Sequence, residues 1–224
     1  MADPIDKEYP LHRADTGELV AHHVRTKPKG FFYRQLDGKV GLPEGVETKL
    51  LHLYGWNTLN GSNRVVFVEG EKAQEALHKE GIPAVAIFGA ANTPGDVALR
   101  PYIGKECILW ADFDDAGVKA MEKLAERLIA LGQKDIKKVD WKDDLNKGDD
   151  AHEAVARKID IPDLLNHAVP VVVPEPEPEP APAATSDGKP TVATQLVTLA
   201  KNLYVEIWND GAENAYITVE IDDK

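Results

Sequence analysis

Three groups of carboxylates stand where an α/β sheet would gather them. Glu69 directly follows the β-branched run Val65-Val66-Phe67-Val68, Asp112 and Asp114 follow Cys107-Ile108-Leu109-Trp110-Ala111, and Asp149 and Asp150 follow a fourth apolar run and its loop. Ligands of an open parallel sheet sit beyond the carboxyl ends of its strands, so these loops can converge at one edge. Several carboxylates at close range repel one another unless a cation holds them. Mg²⁺, with Mn²⁺ as its substitute, is the natural cation: hard, oxygen-seeking, and willing to keep waters and phosphate oxygens. Such a site suits phosphoryl or nucleotidyl transfer. Each element also has a plainer reading. Glu-Gly after a strand is often a turn, and Asp-x-Asp or Asp-Asp at a helix start is often a cap, because a carboxylate there satisfies free amides and the helix dipole. The order and context of all three carry the inference.

Other residues are weighed against the same alternatives. Lys72 could meet a phosphate at the strand–helix edge, or be a solvated helix lysine. Between residues 8 and 40 the basic residues outnumber the acids, and Arg25, Lys27, Lys29 and Arg34 could form a nucleic-acid-binding face. Phe31, Phe32 and Tyr33 lie beside them and could stack bases, although a small core beneath a meander is the plainer account of them. Trp110 sits in a strand and reads as core. His22 and His23 sit in a strand with no ligand partners nearby in the sequence and read as structural. Cys107 is the one cysteine and lies in an apolar run, which makes it a buried thiol.

The elements that must position these residues follow from hydrophobic period and punctuation. Residues 18–25 and 30–35 read as strands of a small N-terminal meander, with turns at Asp15-Thr16-Gly17 and Asp37-Gly38. A short helix is expected over 47–54. From residue 64 strands and helices alternate. Strands are expected over 65–68, 84–88, 107–111 and 136–141, with helices over 71–80, 96–100, 115–131 and 149–157. The 115–131 helix has Val118, Met121, Leu124, Ala125, Leu128 and Leu131 at helical spacing. Strands separated by helices imply a parallel sheet with right-handed crossovers.

The chain has 224 residues, 43% of them apolar and 29% charged, enough for one ordinary domain, a linker and a smaller piece. Alternating Glu and Pro from residue 174 cannot form helix or central strand, so 169–190 reads as an extended linker. Beyond it, 191–201 reads as a helix, and 203–208 and 215–221 as a β-hairpin. The net charge is −12, and a uniformly acidic protein repels polyanions. The charge is uneven: 169–224 carries three lysines against ten acids, leaving −5 for the rest. A lone cysteine makes neither an internal disulfide nor a zinc site and fits a reducing cytoplasm. No secretory signal and no apolar run of membrane length is found.

The string Val68-Glu69-Gly70-Glu71-Lys72-Ala73, then Gly89-Ala90, then Ile108-Leu109-Trp110-Ala111-Asp112-Phe113-Asp114-Asp115-Ala116-Gly117 with Ala120 after it, resembles the Toprim domain. That catalytic fold is shared by bacterial-type primases, topoisomerases, OLD-like nucleases and RecR-type repair proteins. The likeness is greatest to the modules of phage, prophage and plasmid primase-helicases. The segment Tyr9-Pro10-Leu11-His12-Arg13-Ala14-Asp15-Thr16-Gly17-Glu18-Leu19, with Lys27-Pro28-Lys29-Gly30-Phe31 after it, resembles the stretch that precedes Toprim there. The resemblance is specific over about 64–155.

It implies a Toprim-like, Rossmann-like parallel sheet with flanking helices, preceded by a β meander and followed by a linker and a short α+β piece. The implied division is 1–60 β-rich segment, 61–168 catalytic domain, 169–190 linker and 191–224 C-terminal piece. Glu69 matches the Toprim glutamate, which serves as general base or acid or helps hold a metal. Asp112 and Asp114 match the metal ligands, and Asp149 and Asp150 a later acidic pair that helps bind a second ion. One position departs: bacterial primases carry an acid four residues after the glutamate, where this chain has Ala73. The implied function is Mg²⁺-dependent primer synthesis in replication of a mobile element. Single-stranded DNA and nucleotides would be partners, and a replicative helicase module a further one. The alternatives are a Toprim nuclease and a non-catalytic DNA-binding or assembly module. No zinc-ribbon cysteines and no Walker A motif are present.

Overall fold

A computed structural model describes residues 4–28, 30–89, 92–141 and 146–171, and two strands beyond them. The chain divides into two units, residues 1–173 and 174–224.

The first unit holds two sheets. The parallel one comprises β4 (Arg64–Val68), β5 (Ala84–Ala86), β6 (Glu106–Leu109) and β7 (Ile136–Lys138), in the order β5-β4-β6-β7. A fifth strand, β8 (Val169–Pro170), closes the β7 edge antiparallel, so the first residues of the expected linker segment belong to this sheet. Side chains alternate across the strands, which divides the core in two. Val65, Phe67, Val85, Cys107 and Leu109 face α3 (Asp115–Ala130), packing with Met121, Leu124 and Leu128. Val66, Val68, Ala86, Ile108 and Trp110 face the other way, with α1 (Glu71–Lys79), α4 (Ala151–Ala156) and α5 (Ile161–Asn166) contributing Leu77, Ala154 and Leu165. A short α2 (Asp96–Leu99) lies before β6. Trp110 and Cys107 are core, as expected. Val118 is not: it is 46% exposed, and Gly117 and Ala120 lie on the buried face instead.

The second sheet is antiparallel, β1 (Ile5–His12), β2 (Leu19–Thr26) and β3 (Gly30–Gln35), in chain order. β1 is the strand that the pattern hides. It contains Pro10, tolerated because β1 is an edge. Cross-strand rows on one face read Lys7–Arg25–Phe31, Tyr9–His23–Tyr33 and Leu11–Ala21–Gln35.

The helix expected over 47–54 is replaced by a single 3₁₀ turn, Thr48–Leu50, followed by extended chain. The reason is tertiary. Leu51 bridges to Arg13, just past β1 of the antiparallel sheet, and Tyr54 to Ala86 of the parallel one, with Tyr54 N donating to Ala86 O at 3.0 Å. This segment staples the two sheets together. Ion pairs and hydrogen bonds to α1 reinforce the junction: Lys7 to Glu75 at 2.6 Å, and Tyr54 Oη to Glu75 at 3.0 Å.

In the second unit, β9 (Glu206–Asn209) and β10 (Ala215–Thr218) pair antiparallel, which matches the core of the expected hairpin. The helix expected over 191–201 lies outside the described residues. No helix among the described residues is long and apolar enough to cross a membrane.

Candidate active site: a carboxylate cleft between two sheets

The carboxyl edge of the parallel sheet and one face of the antiparallel sheet enclose a cleft of about 540 Å³. Glu69, Asp112 and Asp150 line it, together with Lys72 and Arg25.

Glu69 follows β4 directly and stands two residues before α1 begins. Its carbonyl accepts from Gly89 N at 3.2 Å, which fixes it against the loop after β5. Asp112 stands three residues beyond β6, and α3 rests on its backbone. A Cβ on Gly117 would lie 2.7 Å from Asp112 O and 2.9 Å from Asp112 N, so only glycine permits this approach. The acidic loops are then tied together: Phe113 N donates to Asp149 O at 2.8 Å, and Gly148 N to Phe113 O at 2.9 Å. Two stretches 35 residues apart in sequence thus become one rim.

Within each acidic pair the two residues diverge. Asp114 caps α3, accepting from Gly117 N at 2.8 Å, and it does not line the cleft. Asp149 is buried, accepts from Asn146 N at 2.8 Å and pairs with Arg157, whose guanidinium lies over Trp141. Asp149 also does not line the cleft. Asp150 does, while also capping α4 in a reciprocal box with Glu153: Asp150 accepts from His152 N at 2.6 Å, and Glu153 from Asp150 N at 3.3 Å. Burial, and then the Glu153 carboxyl beside it, push the Asp150 carboxyl up to about 6. Asp150, His152 and Glu153 bring their donor atoms within 4.8 Å of one another.

The donor set suits a hard divalent cation. Glu69, Glu71, Asp112, Asp150 and Glu153 all line one volume, and neither of the softer ligands that select transition metals, thiolate or thioether, lines it.

Of the opposite wall the sequence offered Arg25, Phe31, Phe32 and Tyr33, but not Tyr9, His23 or Phe88. His23, 8% exposed, meets the carboxylate of Glu71, 4% exposed, so a residue read as lacking partners bridges the antiparallel sheet to the first turn of α1. The His23 ring is stacked by Phe31 at 4.9 Å and flanked by Tyr33 at 5.1 Å and by the edge of Phe88 at 5.8 Å. Phe31 is 44% exposed at the mouth. The signal available was the period-two face carrying Ala21, His23 and Arg25, which becomes informative only once β1 and β3 are placed on either side.

The expected basic face divides. Arg25 lines the cleft, and Asp6 lies 3.4 Å from it; Lys27 pairs with the same Asp6 at 2.7 Å. Arg34 lies on the opposite face of β3 and pairs with Glu8. Lys29 lies outside the described residues. Lys72 is exposed at the mouth.

Comparison with solved structures bears on the fold. A chain of the complex of bacteriophage T7 lagging-strand DNA polymerase with primase domains, bound to an RNA/DNA hybrid and dTTP, superposes with a TM-score of 0.51 at 22% identity, covering 73% of this chain and 78% of that one. The Escherichia coli primase catalytic core gives 0.55 at 20%, covering 73% and 52%. A Pseudomonas aeruginosa DNA primase domain gives 0.56 at 19%, covering 73% and 51%. The fold is that of a primase catalytic core, Toprim sheet included. At these identities the likeness is one of fold. No protein-family model matches the chain. A UPF0292 protein of Pyrococcus furiosus is 29% identical over 72 residues, 32% of this chain and 55% of that one. The chain thus spans about half the length of that relative and of the two bacterial primase chains.

Proposed function

We propose that this chain carries out Mg²⁺-dependent nucleotidyl transfer, joining nucleotides into a primer on a single-stranded DNA template. The observation that carries the reading is the convergence of Glu69, Asp112 and Asp150 on one cleft faced by Arg25 and Lys72. The primase fold of the surrounding body supports it, as does the T7 neighbour, whose complex holds an RNA/DNA hybrid and dTTP.

In this reading Asp112 and Asp150 hold the divalent ion, with Glu69 beside them, and Asp114 and Asp149 act as the posts that fix those two loops. The bound ion would supply charge neutralisation at the triphosphate and lower the pKa of the attacking hydroxyl. Glu69 accepts the proton of that hydroxyl at the strand–helix edge. Arg25 and Lys72 neutralise phosphate oxygens from the other side, Arg25 in the more fixed geometry because it lies in a strand. The exposed ring of Phe31, braced by His23, offers a stacking surface for a base at the mouth. In this reading residues 61–171 carry the chemistry and its sheet, 1–60 the substrate-facing sheet, and the residues after 171 a linker and a further piece. A replicative helicase module and a mobile-element replicon are the setting this reading favours.

The test is nucleotide incorporation on single-stranded DNA with Mg²⁺ or Mn²⁺, comparing the parent with Glu69→Gln and Asp112→Asn. Incorporation by the parent and its loss in both variants is expected. Nicking of supercoiled plasmid without added nucleotides, with no incorporation, would replace this reading by a nuclease that uses the same carboxylates.

A further inference from the structure

A second concavity of about 370 Å³ opens near the far end of α1 from the carboxylate cleft. Trp56 is its central feature. The indole is half-buried and lies flat on His52, with ring centroids 3.9 Å apart and planes 10° from parallel, and His12 meets its edge at 6.2 Å. The loop beneath is rigidly built. Gly55 has φ +84°, and a Cβ there would fall 2.3 Å from Gln74 Nε2, which itself donates to Ala84 O at 3.1 Å. Thr58 Oγ1 donates to Gly55 O at 2.7 Å.

His52 is hard to explain as core. It is 8% exposed, and its Nδ1 has no hydrogen-bond partner among the described residues. An apolar side chain would fill this place without leaving a polar atom unsatisfied. Burial, and then the neighbouring His12, hold the His52 imidazole below its usual range, so the ring is neutral at pH 7. What the imidazole does supply is a flat, uncharged support for the indole.

The rim is basic. Lys7, His78 and Lys79 border the pocket, against one acid, Glu75, which is engaged by Lys7 and by the Tyr54 hydroxyl. A smaller hollow links the two concavities. It shares Tyr9, Arg25 and Lys72 with the cleft and Lys7, Glu75 and Lys79 with the Trp56 pocket. Lys72 and Lys79 lie two turns apart on α1, about 10 Å along its axis.

We propose that the Trp56 pocket binds a nucleotide unit, with the base stacked on the indole and the phosphate met by Lys79 at the rim. A planar π-face with cations at its edge suits a heteroaromatic ring bearing negative charge. The unit belongs to a free nucleotide or to a single strand that reaches the pocket through the linking hollow. The inference extends the reading of the chain as a nucleotide-handling protein, but does not depend on the metal chemistry of the cleft.

The experiment uses the full chain in EDTA, where no metal-dependent transfer occurs, and follows the anisotropy of a fluorescein-labelled oligothymidylate. Failure here would leave the incorporation assay untouched, and the converse holds. Saturable binding by the parent is expected, weakened about tenfold or more by Trp56→Leu. Lys79→Ala, a substitution on an exposed helix face that leaves folding intact, should weaken it severalfold and lower its salt dependence. Displacement of the oligonucleotide by ATP would identify a free-nucleotide site; displacement only by unlabelled oligonucleotide would identify a strand site. No binding in EDTA would overturn the proposal, as would Trp56→Leu and Lys79→Ala both binding as tightly as the parent.

Discussion

On one wall of the cleft, Glu69, Asp112 and Asp150 stand in loops at the carboxyl edge of a parallel sheet; on the other, Tyr9, His23, Arg25 and Tyr33 stand on the face of an antiparallel one. The first wall is carboxylate, and its backbone is cross-tied by Phe113, Gly148 and Asp149. The second is aromatic and cationic, and its one buried acid contact, His23 with Glu71, joins it to α1. The difference is one of charge: the parallel edge concentrates carboxylates, and the antiparallel face sets rings and a guanidinium opposite them, so the proposed reading gives the cation to the first and what the cation brings to the second.

If the division holds, substitutions on the two walls separate kinetically. The largest effect is expected at the carboxylates. Glu69→Gln and Asp112→Asn should each lower kcat for incorporation by about 10²–10⁴-fold with nucleotide KM changed only a few-fold. Steady-state kinetics check this, and a KM effect with kcat intact would break the comparison.

Next come the posts. Asp149→Ala removes the Arg157 ion pair and the acceptor of Asn146 N and should destabilise the fold by about 1–2 kcal/mol. Gly117→Ala sets a Cβ against the Asp112 backbone and should cost about 1–3 kcal/mol. Chemical denaturation measures both. A parent-like stability in either would mean that the two acidic loops are not held as described.

On the antiparallel wall, Arg25→Ala should raise nucleotide KM about tenfold, the worth of one charge-assisted hydrogen bond, while leaving kcat within a few-fold. An equal loss in kcat would move Arg25 to the reacting phosphate. The smallest effect is expected away from both walls. Burial pushes the Cys107 thiol up to about 12, so it should resist alkylation at neutral pH until the protein is unfolded.

The parallel half was legible because its signals are local. An apolar run ending in an acid, followed by a helix-period segment, locates β4, β6, Glu69 and Asp112 without tertiary knowledge. Which member of each acidic pair faces the cleft was not legible. Asp114 and Asp149 carry the same side chain as Asp112 and Asp150, and only the cap on α3 and the contact with Arg157 tell them apart. The antiparallel wall was hidden for a different reason. β1 contains Pro10 and mixed charge, and without it the row Tyr9–His23–Tyr33 does not exist. The 47–54 segment misled because its local pattern suits a helix while its bridges lie far off in sequence.

The central claim is that Asp112 and Asp150 belong to one divalent-cation site. Titration calorimetry with Mn²⁺ tests it directly on the parent, Asp112→Asn, Asp150→Asn and Asp114→Asn. Asparagine keeps the helix caps at Asp150 and Asp114, so loss of binding would report loss of the ligand charge and not of the helix. The account predicts binding in the parent and in Asp114→Asn, and its loss in Asp112→Asn and Asp150→Asn. Parent-like affinity in Asp112→Asn, or no binding in the parent, would contradict it.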